Sequence, residues 1–241
     1  MTPNDELHHL AIAGDHLSEI AATADLSIAV PTCDGWSLER LITHCCQVWS
    51  LVKGSIEAGD RIPLGDPALE PTSKILSDWH AHAVTELHHL LSRLGPDGEC
   101  WTFSPRWSTA AFWMRRMCQE ATMHLWDAQH ALGHPSPIDP EIAIIGIDEY
   151  LDHFIGDRRP DVFAGNGETL HFHATDGPGE WVITRTPTGI DVERAHAKGD
   201  VAARGPASDL LLFVWGRIPP SQLEVFGDEN LLVQWQADIT F

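Results

Sequence analysis

Apolar residues recur at intervals of three and four along the first half of the chain and at intervals of two along much of the second. Residues 4–25 carry Leu7, Leu10, Ile12, Leu17 and Ile20 in a loose helical pattern, which "VPTCDG" at 30–35 breaks. A second helix is predicted from Ser37, a plausible N-cap, with Glu39 in its first turn, where the helix dipole favours negative charge. Its apolar positions are Leu38, Leu41, Ile42, Val48, Trp49 and Val52, and it ends near Glu57, before "AGDRIPLGDP". A third runs from about Thr72 to Leu94 and stops at "GPDG". After the loop "GECWTFSPRWS", a fourth runs from about Thr109 to Leu132 and stops at Gly133. Four long helices joined by loops predict a four-helix bundle.

The Pro- and Gly-rich segment "GHPSPIDP" at 133–140 marks a domain boundary, so the division is 1–137 and 138–241. Residues 141–155 form one more helix. Beyond Arg158, "ETLHFHAT", "EWVITRT" and "GIDVERA" alternate at about period two, with "DGPG" and "TPTG" as turns. "ASDLLLFVWGR" at 207–217 reads as a helix, and "LEVFGDENLLVQWQ" as a turn plus a short terminal element. The predicted fold is therefore α+β in two domains: a helical bundle, then a small α/β domain with an antiparallel sheet.

Charge narrows the partners. Fifteen basic against thirty-five acidic residues give a formal net charge of −20. Nucleic acid and anionic membrane both call for a basic surface, so neither is expected. The chain shows no charged-then-apolar leader and no apolar run of membrane-spanning length, and the expected location is the cytoplasm. Five cysteines, an odd number with no C-x-x-C pair, argue for reduced and mostly buried thiols. The oligomeric state is left open.

The segment "RMCQEATMHLWD" carries the chemistry. At 100° per residue, Glu120, His124 and Asp127 lie on one stripe of the fourth helix. Burying them is costly unless they face solvent, pair with basic groups or bind a metal. An exposed i, i+4 pair is the plain alternative. His44, in "LERLITHCCQVWSLV", recurs with Leu41 and Val48 at core spacing and so offers a further ligand from the second helix. Two imidazoles and a carboxylate suit a zinc with one open position, and helical bundles build metal sites from facing helices. Other histidines compete: "HAH" at 80–82, "HH" at 88–89, and "HFH" at 171–173, which puts two imidazoles on one strand face. None has a third partner at motif spacing, so surface or structural roles are expected. Trp36, Trp49, Trp113 and Trp126 are expected in the core, and Trp101 and Trp107 near a pocket mouth.

Taken in order, "CDGWSLERLITH", "WTFSP", "AAFWMRRMCQEATMHLWDAQHALG", "GIDEYL", "LLLFVWGR" and "FGDENLLVQW" resemble the mycothiol-dependent maleylpyruvate isomerase family of actinobacteria. The resemblance spans nearly the whole chain. It implies a DinB-like N-terminal bundle and a smaller C-terminal α/β domain. It implies a divalent metal, usually zinc, on His44, Glu120 and His124, and a role for Asp127 in binding the thiol cofactor mycothiol. It implies, too, that the metal activates the thiol, which adds to a conjugated cis double bond and leaves after rotation. Asp127 as a partner of the ligating histidine is the alternative. A diacid substrate calls for a guanidinium: Arg115, Arg116 and, from the second domain, Arg217 are the candidates, with Arg217 preferred. A thiol S-transferase, a hydrolase or amidase using zinc-bound water, and a non-enzymatic metal- or thiol-binding stress protein are the other readings of the same ligands.

Overall fold

The computed structural model describes residues 1–156 and 160–239, so Arg158, where the second pattern was placed to begin, lies outside the described residues. The chain forms two compact units, Met1–Ser136 and Pro137–Phe241.

The first unit is built from α1 (Pro3–Thr23), α2 (Leu38–Ala58), α3 (Leu76–Leu94) and α4 (Ala110–Ala131). Each of α1 and α2 packs against both α3 and α4, which makes a four-membered bundle. Thr2 caps α1 in a capping box with Asp5, and Ser37 caps α2 by accepting from the Arg40 N–H. Gly59 ends α2 with φ of 70°, a left-handed geometry open to glycine. Leu10, Leu17, Leu41, Ile42, Trp49, Leu87 and Trp113 fill the core, each such aliphatic side chain contributing about 1.5–3 kcal/mol. The third helix starts four residues later than its pattern suggested, because Ser73 Oγ accepts from the Ile75 N–H and turns the chain. His80 is fully buried: Trp49 Nε1 donates to its Nε2 at 3.2 Å, and its Nδ1 lies 2.8 Å from Ser18 Oγ. It is a satisfied structural histidine, and burial pushes its pKa down to about 4.

The second unit begins with α5 (Pro140–Glu149), which widens into a π-helical turn over Tyr150–Ile155. A five-stranded sheet follows, formed by β1 (Thr169–Ala174), β2 (Glu180–Thr186), β3 (Gly189–Glu193), β4 (Val201–Gly205) and β5 (Glu224–Gly227). Helix α6 (Ala207–Val214) lies between β4 and β5 in sequence, and α7 (Asn230–Asp238) closes the described chain. The strand order is β3-β2-β1-β4-β5. Three pairings are antiparallel, but β1 pairs with β4 in parallel, so the sheet is mixed. Phe172 packs against Phe213 of α6 and Trp235 of α7, so the helices cover the face that carries Leu170, Phe172, Trp181 and Ile183. Among the described residues no helix is long and apolar enough to cross a membrane.

Candidate metal centre in the helical unit

Along α4, Arg116, Glu120, His124 and Asp127 follow at intervals of four, four and three, and so share one face. Helix α2 brings His44 against that face. Its Nε2 lies 3.1 Å from Glu120 Oε1, and His124 Nε2 lies 3.3 Å from the same oxygen. The two rings meet edge-on at 5.1 Å. Each of the three residues offers one ligand atom, and these atoms fall within 4.8 Å of one another.

The surroundings hold each ligand in place. Arg116, 3% exposed, donates to Glu120 Oε2 at 3.0 Å, which leaves Oε1 toward the histidines. His124 Nδ1 lies 3.1 Å from Asp127 Oδ2. Asp127 has no exposed surface. Its Oδ1 accepts from Thr32 Oγ1 at 2.6 Å, and its Oδ2 accepts from the Cys33 thiol at 3.6 Å. Both of those residues sit on the α1–α2 connection, together with Trp36, whose ring lies beside His44 and His124 at 5.0 and 6.4 Å. Side-chain exposure falls from 34% at His44 through 20% at Glu120 to 11% at His124. The approach to the site is therefore from the His44 side.

Electrostatics follow from this packing. Burial alone would raise the Glu120 pKa, but hydrogen bonds from His124 and His44, with the charge of Arg116, hold it well below the usual carboxylate range. Burial alone would lower the His124 pKa, but Asp127 and Glu120 push it up to about 9. Below that pH the two carboxylates face two cations, Arg116 and the His124 imidazolium, and a divalent ion on these ligands would take the place of the His124 proton. The donor set, two imidazole nitrogens and one carboxylate oxygen converging on one point, fits a zinc-type divalent ion with an open position.

Residues 7–129 match the family described as "Mycothiol maleylpyruvate isomerase N-terminal domain", and residues 141–234 match the "MDMPI C-terminal domain". The chain belongs to the mycothiol maleylpyruvate isomerase family. Among solved structures it is similar to a mycothiol-dependent maleylpyruvate isomerase, with a TM-score of 0.62, 15% identity and 93% of each chain covered. It is similar as well to a histidine-to-alanine mutant of a mycothiol-dependent maleylpyruvate isomerase, at a TM-score of 0.60, 14% identity and the same coverage. At such identity the likeness is one of fold. No curated protein matches the chain.

The remaining candidates of this family member are placed as follows. Arg115 reaches Glu6, with Nε 3.1 Å from Oε1. Arg217 belongs to the second unit, where its Nη1 donates to the Trp215 carbonyl at 3.0 Å. None of the five cysteines is in a disulfide. Burial raises the Cys45 pKa well above its ordinary value and the Cys46 pKa to about 12, so neither supplies a thiolate at neutral pH. Sequence pattern did not single out Thr32 and Cys33 as partners of Asp127, nor Trp36 as a wall of the site. "VPTCDGW" reads as a helix break, and only the folded loop shows where its side chains go.

Proposed function

We propose that the chain is a metal-dependent enzyme that uses mycothiol to interconvert the cis and trans forms of a conjugated diacid, as a maleylpyruvate isomerase does. The convergence of His44, Glu120 and His124 on one point, in a member of this family, carries the reading. A zinc ion, or another borderline divalent metal, held by these three residues would act as a Lewis acid that favours the thiolate of a thiol whose ordinary pKa is about 8.5. The protein's own part is to hold that ligand set. Asp127 accepts the His124 Nδ1 proton, so Nε2 is the ring nitrogen that would ligate the metal once its own proton is released. Thr32 and Cys33 fix the Asp127 carboxylate in turn. Asp127 thus acts through His124 and is a positioning residue, not a contact to the thiol. Arg116 neutralises Glu120 and sets which oxygen faces inward. Trp36 limits water on one side of the imidazoles.

The test is turnover of maleylpyruvate by untagged protein, with and without mycothiol, before and after chelation, alongside His124→Ala. Turnover is expected to need both thiol and metal and to fall at least about a hundredfold in the variant. Thiol-independent hydrolysis would replace this reading with a hydrolase. Transfer of the thiol to an electrophile without isomerisation would make it an S-transferase. Thiol binding without any turnover would make it a binding protein.

A further inference from the structure

"HFH" at 171–173 finds in the folded chain the partners that spacing alone did not show. His171 and His173 point to the face of the sheet opposite α6 and α7. His173 pairs directly with Glu180 of β2, so the two side chains stand together on that face. The fourth residue comes from the chain connection. Strand β3 is an edge, and β4 lies beyond β1, so residues 194–200 must pass over β2 and β1 to join them. Both ends of that crossing are tied. Arg194 reaches Asp148, and Asp200 donates its N–H to the Thr169 carbonyl at 2.9 Å while its Oδ2 accepts from the Thr169 hydroxyl at 2.8 Å. Between these ties, His196 comes down onto the histidine face.

The arrangement is three-sided. The ring centroids lie 6.0 Å apart for His171–His173, 5.5 Å for His171–His196 and 5.9 Å for His173–His196, with the planes at 79°, 86° and 76°. His173 Nδ1 and His196 Nδ1 both contact Glu180 Oε1, and His171 Nε2 lies 3.6 Å from the same oxygen. A carboxylate oxygen has two lone pairs and cannot satisfy three ring N–H groups. His171 is 6% exposed, and its Nε2 is buried without a hydrogen-bond partner. Around a cation, three ring nitrogens would turn lone pairs, not protons, toward one point, and the conflict would disappear. With ring nitrogens about 2.0–2.1 Å from a tetrahedral metal, centroids stand about 5 Å apart. The observed triangle is within about an ångström of that. The four ligand atoms already lie within 4.8 Å of one another.

We propose that His171, His173, His196 and Glu180 form a second metal site, for a zinc-type divalent ion, which clips the 194–200 crossing to the sheet. Four protein ligands close the shell, so the site is structural. It is separate from the centre on α2 and α4 and does not rest on the function proposed above.

The test is zinc bound after equilibrium dialysis of chelated, untagged protein, measured by mass spectrometry. The chains compared are wild type, His124→Ala, His173→Ala/His196→Ala and the triple variant. The His124→Ala chain is expected to keep about one zinc, and the triple variant to lose it. Cobalt in the His124→Ala chain is expected to give the visible bands of a tetrahedral nitrogen–oxygen site, absent from the triple variant. His196 is exposed and His173 half-buried, so circular dichroism of the double variant is expected to match wild type. Equal zinc in the His124→Ala and triple variants would overturn the proposal and leave the cluster as hydrogen-bonded imidazoles. A failure of the α2–α4 centre would look different. Wild type and His124→Ala would then hold equal zinc, while His173→Ala/His196→Ala still lost it.

Discussion

Replacing Asp127 by Asn keeps the side chain's shape and removes its charge, in a place with no exposed surface. Thr32 Oγ1 donates to one carboxylate oxygen at 2.6 Å, and His124 Nδ1 lies 3.1 Å from the other. If the amide oxygen keeps the Thr32 bond, its NH2 faces His124 Nδ1. That nitrogen must then accept, and the ring proton moves to Nε2, where the metal lone pair is needed. Loss of such a partner lowers metal affinity about 10–100-fold, or about 1.4–2.8 kcal/mol. A second effect has the opposite sign. In the metal-free wild type, His124 holds a proton up to about pH 9, partly because of Asp127. At pH 7 that proton costs metal binding about a hundredfold, and the Asn variant relieves part of it. The loss of affinity is therefore expected to be larger at pH 9.5 than at pH 7, about 30-fold against a few-fold. Competition with a chromophoric chelator measures it, in a His173→Ala/His196→Ala background. Wild-type affinity at pH 9.5 in Asp127→Asn would refute the tautomer argument.

Zinc uptake at the α2–α4 centre is expected to release about one proton at pH 7, and its affinity to rise about tenfold per pH unit until pH 9; proton release in weak buffer checks both. His80 has its pKa lowered from 6.5 to about 4 by burial, so between those values the unfolded chain binds a proton that the folded chain does not. Its stabilising contribution is complete above pH 6.5 and is lost as pH falls toward 4, by about 3 kcal/mol in total; urea unfolding at pH 7 and pH 4.5 should show it, and His80→Gln should flatten the pH dependence. Gly227 has φ of 93°, and an added Cβ would meet the Asp200 carbonyl oxygen. Gly227→Ala is expected to cost about 2 kcal/mol or more, read as a lowered Tm; an unchanged Tm would contradict the strained geometry.

The helical unit was legible because its core lies on its own helices. Leu38, Leu41, Ile42 and Trp49 announce the buried face of α2 by spacing, and Ser37 announces its start. The convergence of His44, Glu120 and His124 was legible for the same reason, since two helix faces carry them. Strand β4 was not. "VAARG" has two alanines and a glycine, with weak intrinsic preference for a strand, and it is made extended by pairing between β1 and β5. His196 was hidden because it reaches the histidine pair through a crossover, and no local spacing encodes a crossover. The surroundings of Asp127 were hidden likewise in a loop whose shape depends on its neighbours.

The parallel pairing of β1 with β4 also orders assembly in time. Leu170 meets Ile183 across 13 residues of chain but meets Val201 across 31, and the longer closure costs about 0.8 kcal/mol more in chain entropy. The β1–β2–β3 meander is therefore expected to form first and β4 to add later. Until it does, one edge of β1, with Leu170 and Phe172 beside it, presents unpaired N–H and C=O groups that any extended strand can take up. A second copy of the same chain supplies such a strand, so refolding yield is expected to fall as protein concentration rises. A metal that pins the 194–200 segment would act on this step as well, by shortening the search β4 makes for its place.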